Sequence, residues 1–183
     1  MKLYTAVTNT TTIEEQLKQH HMRVSKICEE IARALSMSYG DLIKLLLAAQ
    51  LHDIGKLWIP QQILDKPEKL NEEEEKIVKK HVFYGYEYIK SKKMNDTIAE
   101  AVLYHHEHFD GQGYIGLKGE EIPLFSRIIS VADAFDAMTN DRPYRKALSL
   151  EEAFEEIKRN SGTQFDPEIA NIFIELEVYK INK

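Results

Sequence analysis

Residues 48–57 read AAQLHDIGKL, an apolar run that ends in an imidazole beside a carboxylate, His52 and Asp53, followed by Gly55 and Lys56. A second doublet, His105 and His106, and two acids, Asp133 and Asp136, repeat the pattern of ionisable groups set into apolar sequence. Asp133 and Asp136 stand three residues apart in SVADAFDAM and so share one face of a helix. A bare carboxylate there would cost several kcal/mol or take up a proton. A cation removes that conflict, and imidazole with carboxylate is a donor set for first-row divalent metals. Any one of the seven histidines (His20, His21, His52, His81, His105, His106 and His108) reads by itself as a hydrogen-bonded core residue. Taken together, the doublets and the buried acids point to a metal centre.

Helices must position these groups, because no credible alternating strand and no internal repeat occurs in the chain. The fold class expected is all-α. A first helix follows a capping box of Thr11 with Glu14, or Thr12 with Glu15, and runs to about Leu35. Its inward stripe is Leu17, Val24, Cys28, Ile31 and Leu35. A second helix is expected from about Asp41 to Asp53, and a long third one, capped by Asn71 with Glu74, to about Lys90. A fourth covers about Asp96 to His106. The loop HFDGQGYIGLKGEE holds four glycines and no core periodicity, and a loop of that length inside a compact domain is usually functional. Pro123 opens a fifth helix, TNDRPYRKA is a second polar loop, Ser149 with Glu152 caps a sixth helix, and Asp166-Pro167 starts a last one.

Composition bounds the function. The 183 residues fit one domain, with residues 1–12 as a loose lead-in and 13–183 as the folded unit. A hydrophobic content of 43% with 30% charged residues is that of a soluble globular chain. The net charge of −6 argues against broad binding of a nucleic-acid polymer by a basic surface. No apolar run approaches the roughly 20 residues of a membrane span, and no export signal is recognisable, so a cytoplasmic protein without membrane contact is expected. Cys28 is the single cysteine and sits on an apolar stripe, as a small core residue does.

The segments HDIGK, HHEHFDGQGY and IPLFSRIISVADAFDAMTNDRPYR, in that order, resemble the HD-GYP family. This is a branch of the HD phosphohydrolases whose members hydrolyse cyclic dinucleotides. The resemblance runs from about His20 to Pro167 and implies a compact multi-helix bundle with a metal site in its core. It implies ligation by His20, which stands three residues before Arg23-Val24, and leaves His21 without a ligand role. His52 and Asp53 would be the signature doublet, with Asp53 bridging two ions. His81, His105 and His106 would complete the second ion's ligands, and Asp133 the first's. Two departures stand out: the family's Gly-Tyr-Pro reads Gly113, Tyr114, Ile115, and a glutamate that holds a third ion in some members is replaced by Gln16. A neutral amide is a poor substitute for a carboxylate, so two ions are expected rather than three.

Two divalent ions roughly 3.5–4 Å apart activate a water and hold a phosphodiester for in-line attack. Iron or manganese suits the ligands best, with zinc or nickel as further choices. Asp53, Lys56 and Asp136 are the expected catalytic residues, with Asp136 orienting a ligand or the nucleophile, or else only capping a neighbouring group. Lys56, Arg142 and Arg145 would hold phosphates, the arginines by forked hydrogen bonds. Asp110, Gly111, Gly113 and Tyr114 in the long loop would contact substrate. The plainer alternatives are a turn at Asp110-Gly111 and core packing of Tyr114. Arg127 pairs equally well with a helix-end carboxylate, and His108 reads as exposed. The substrate implied is a cyclic dinucleotide, foremost cyclic di-GMP, and the chain either works alone or is regulated by a separate protein, with a homodimer as a further alternative. The rival readings are a cyclic-dinucleotide receptor without turnover, an HD nucleotide phosphohydrolase, and a structural domain without metal.

Overall fold

The computed structural model describes residues 13–141 and 146–176, with side chains from Lys18 onward. The expected lead-in, the threonine caps, Gln16's side chain, Arg142 and Arg145 therefore lie outside the described residues. Among the described residues nine α-helices follow one another: α1 (Ile13–Ala34), α2 (Tyr39–Leu51), α3 (Gln61–Leu64), α4 (Glu72–Lys79), α5 (His81–Ser91), α6 (Asp96–Tyr104), α7 (Leu124–Thr139), α8 (Leu150–Arg159) and α9 (Pro167–Glu175). Two 3-10 turns, Ile54–Trp58 and Gly119–Glu121, interrupt the connections. There is no β-strand among the described residues, only an isolated bridge between Ser161 and Phe165. The all-α expectation holds.

Helix α7 is the axis of the bundle, touching α1, α2, α6, α8 and α9. Its inward face buries Phe125, Ile128, Ile129, Val131, Ala132 and Phe135. Phe135 packs against Phe154 of α8 and Phe173 of α9, with ring centroids 5.0 and 4.8 Å away. Aromatic groups at this separation add to the apolar burial. On the other flank α1 lies against α2 and α5 against α6, and Val24, Cys28 and Ile31 are fully buried, as the stripe predicts. Leu35 is only partly buried at the end of that stripe.

The caps explain most boundaries. Asn71 with Glu74 and Ser149 with Glu152 form full capping boxes, and Asp166 accepts from the backbone N–H of Glu168 and Ile169 ahead of Pro167. Helix α2 begins earlier than expected, because Ser38 Oγ caps it and takes the N–H of Asp41. The long third helix is broken at Lys80 into α4 and α5. Two contacts mark the break. The His81 side chain takes the Val78 carbonyl at 2.8 Å, and the backbone of Gly55 comes so close that a Cβ there would lie 1.8 Å from the His81 carbonyl oxygen.

That close approach, with Gly85 facing Gly55, fixes the depth at which the His52–Lys56 turn enters the bundle. Gly55→Ala is expected to lose about 1–3 kcal/mol or more, because its obstacle is backbone rather than a movable side chain. Gly40→Ala, whose new methyl would meet nothing nearer than Ser38 Oγ at 4.0 Å, should be nearly neutral. Chemical denaturation of both variants checks the contrast.

Candidate metal centre

Four of the expected histidines sit where a helix ends or breaks. His52 follows the last residue of α2, His81 opens α5 just after the break, and His105 and His106 follow α6. The last carbonyls of a helix lack intrahelical partners. Here imidazoles take such carbonyls: His52 Nδ1 to Ala49 O at 2.7 Å, His81 Nδ1 to Val78 O at 2.8 Å, and His105 Nδ1 to Val102 O at 2.7 Å. A carbonyl oxygen only accepts, so each Nδ1 carries the proton, and each ring in its neutral form offers its Nε2 lone pair inward. His20 on α1 is oriented alike by a carboxylate, with Nδ1 2.7 Å from Asp136 Oδ2.

Those lone pairs point at one another and at carboxylates. His20 Nε2 lies 3.3 Å from His52 Nε2, 3.4 Å from Asp133 Oδ1 and 3.9 Å from Asp53 Oδ2. His52 Nε2 lies 3.4 Å from Asp53 Oδ2, and His81 Nε2 lies 3.4 Å from Asp53 Oδ1. Asp53 Oδ1, His81 Nε2 and His105 Nε2 are buried without a hydrogen-bond partner. Two groups of potential ligand atoms result, each within 4.8 Å: His20, His21, His52 and Asp53, and then Asp53, His81, His105 and His106. Asp53 belongs to both. Asp133 adjoins the first through His20 and His52. Acceptors confronting acceptors in a buried space are stable only with positive charge between them, and these donors fit divalent cations.

The electrostatics agree. Burial alone would raise the Asp53 pKa, yet Lys56 and His52 hold it well below the usual carboxylate range. Burial lowers the pKa of His21 to about 4 and of His106 to about 3, and it depresses those of His81 and His105 as well. At neutral pH these four rings are therefore neutral and free to coordinate. His52 departs from them: burial opposes its charge, but Asp53 and Asp133 outweigh burial and raise its pKa.

The remaining expected residues separate. Lys56 Nζ lies 2.6 Å from Asp53 Oδ2. Asp136 gives its oxygens to His20, Arg23 and Asn140. Arg127 pairs with Asp166 and with the Ile122 carbonyl, the structural alternative. Asp110 Oδ1 takes the N–H of Gln112 beside Gly111, whose φ is 88°, so this pair forms a turn. Tyr114 lies over His106 with centroids 4.7 Å apart, under the Lys79 ammonium, and burial raises its pKa to about 12. His108 is half-buried and belongs to neither ligand group.

Glu107 carries a role that the sequence reading missed. Its buried carboxylate accepts the N–H groups of Ile115, Gly116 and Leu117, each at 2.6 Å, and so staples the long loop beside His106. Gly113 fits only without a side chain, since a Cβ would lie 2.5 Å from Glu107 Cα. The acid in HHE was the available signal, but nothing in its spacing names three backbone donors as its partners. The replaced proline also gains a meaning: Ile115 supplies an N–H that proline lacks.

A family model described as HD domain matches residues 9–169. A cyclic di-GMP phosphodiesterase of Thermotoga maritima is 43% identical over 164 residues, 87% of this chain and 44% of that protein. A 3'3'-cGAMP-specific phosphodiesterase of Vibrio cholerae is 43% identical over 150 residues, 81% of this chain and 33% of that protein. Among solved structures, an HDG"Y"P protein from Bdellovibrio bacteriovorus superposes with a TM-score of 0.72 at 20% identity, over 88% of this chain and 52% of that one. The chain belongs to the HD-domain family, in its HD-GYP branch. It spans less than half the length of these two curated relatives.

Two outcomes are expected at this site. Below pH about 6.5 the unfolded chain protonates the four depressed histidines while the folded chain does not, until near pH 4 for His21 and 3 for His106. The unfolded state then holds more protons, so the chelator-treated protein should lose thermal stability as pH falls from about 6.5 toward 4. His52 opposes the trend, its contribution being complete below about 6.5 and lost as pH rises through its raised folded value. A melting midpoint that is flat or rises on acidification would contradict the buried neutral imidazoles. Ile115→Pro should cost about 1.5–3 kcal/mol, the worth of one hydrogen bond to a charged group, measured against Ile115→Val, which keeps the N–H.

Proposed function

We propose that this domain is a metal-dependent phosphodiesterase that opens a cyclic dinucleotide, foremost cyclic di-GMP, to the linear dinucleotide and on toward the mononucleotide. The observation that carries the reading is the convergence of Asp53 Oδ1, His81 Nε2 and His105 Nε2, buried and unpartnered. The names of the relatives support the substrate class: one acts on cyclic di-GMP and another, equally identical, on 3'3'-cGAMP. That equality makes 3'3'-cGAMP the second substrate to test.

His20, His52, Asp53 and Asp133 would hold one divalent ion, and Asp53, His81, His105 and His106 the other. When bound, such ions acidify a water and neutralise charge on the phosphodiester and its leaving oxygen. Iron or manganese is the expected metal, before zinc or nickel. Asp53 divides its two oxygens between the ligand sets, and Lys56 holds the Oδ2 side as a counter-charge. Asp136 keeps His20 in the tautomer that presents Nε2. Tyr114 covers the His106 ring and, with the loop stapled by Glu107, bounds the second set against solvent. Arg142 and Arg145 would grip a phosphate by forked hydrogen bonds, while Gly111, in its turn, and Gly113, packed on the Glu107 backbone, would shape the loop that meets the substrate. No helix among the described residues is long and apolar enough to cross a membrane. A cytoplasmic enzyme governed by a partner protein or by self-association completes the reading.

Metal-loaded protein incubated with cyclic di-GMP should yield the linear dinucleotide by chromatography. Chelation should stop the reaction and added iron or manganese restore it. Asp53→Ala should lower kcat/KM by on the order of 10³-fold or more, as expected from losing several kcal/mol of charge stabilisation. Loaded protein that binds both cyclic dinucleotides and leaves them intact would identify a receptor and overturn the proposal.

A further inference from the structure

His21 is the residue that the family resemblance leaves idle, and its surroundings are not those of an idle group. Its Nε2 is buried and has no hydrogen-bond partner. Among the described residues the other such buried atoms are Ser25 Oγ, Asp53 Oδ1, His81 Nε2 and His105 Nε2. The last three are already donors of the second ligand set. Ser25 stands one turn along α1 from His21, and since both atoms lack partners the two do not satisfy each other.

The His21 ligand atom lies within the first set, no more than 4.8 Å from those of His20, His52 and Asp53. The three ring centroids form a nearly equilateral triangle: His20 to His21 5.4 Å, His21 to His52 5.2 Å, His20 to His52 5.2 Å. Imidazoles bound through one nitrogen to a common ion, at about 2.1 Å and near-tetrahedral angles, hold their centroids roughly 5 Å apart. The rings are inclined to one another by 53°, 73° and 64°, so they meet by edges rather than by stacked faces. Consecutive helical residues diverge by about 100°, which makes the convergence of His20 and His21 on His52 an unusual arrangement for mere packing.

We propose that His21 is a ligand of the first cation, which makes that position a site of three imidazoles, His20, His21 and His52, with the carboxylates of Asp53 and Asp133. The proposal rests on the two-cation reading above and deepens it. Three nitrogens favour iron, zinc, nickel or cobalt over manganese and magnesium at this position, while the second set, which shares Asp53, is a separate choice.

The test compares wild-type protein with His21→Ala and with His21→Gln, which keeps a polar group of similar size should the alanine variant fold poorly. Metal content after dialysis, cobalt(II) absorption and chelator competition are measured. The wild type should retain two ions per chain. Both variants should lose tight binding of one ion by more than the roughly 10–100-fold that removal of an outer partner causes, with changed cobalt(II) absorption. The loss should be greater for cobalt and zinc than for manganese. Wild-type and variant proteins with the same stoichiometry, affinity and cobalt spectrum would overturn the His21 assignment and leave the two-cation centre standing. Wild-type protein that retains no metal would overturn both.

Discussion

The structure depends on a set of lone pairs that have nowhere to go. Four imidazoles are each held through a protonated Nδ1, three by helix-end carbonyls and one by Asp136, so that in the neutral rings the Nε2 atoms meet as acceptors. Protonating those nitrogens would ease the confrontation, but burial resists the charge on His81 and His105. The arrangement therefore calls for positive charge from outside, of the kind that a divalent cation can supply. Much of the bundle serves this geometry: α2 and α6 stop, and α4 gives way to α5, where a carbonyl can hold a ring.

The anchoring also ties the centre to the hydrophobic core. His52 is held by a carbonyl of α2, whose Leu45, Ala48 and Ala49 are buried, and His105 by one of α6, whose Ile98, Ala101 and Val102 are buried. Asp133 and Asp136 ride on α7, whose Phe135 lies in the aromatic cluster with α8 and α9. A shift of any of these helices moves a donor, so metal affinity and packing are two measures of one structure.

Much of this was legible in the sequence, and the limits follow from physics. Capping boxes at Asn71 and Ser149 are local signals, and both formed as read. The ionisable groups in apolar runs marked the centre, because burying charge without a partner is costly at any position. The break at Lys80 was not legible, since it coincides with the approach of Gly55, far earlier in the chain, to the His81 carbonyl. Glu107 was missed for a related reason: its partners are backbone N–H groups, which every residue but proline carries and no composition reveals. His20 and His21 flank the same stripe, so periodicity alone did not choose between them.

The change at Ile115 shows how such a site tolerates a departure in its most recognisable segment. The loop needs two things from residues 113–117: room for the Glu107 backbone against Gly113, and donors for the Glu107 carboxylate. A proline at 115 would restrict the chain but offer no donor, whereas isoleucine gives up that restriction and adds a third hydrogen bond to a buried anion. Each device stiffens the loop, one by covalent geometry and the other by electrostatics. What has to be conserved physically is the position of Tyr114 over His106, and the carboxylate beneath the loop keeps it there without the ring of a proline.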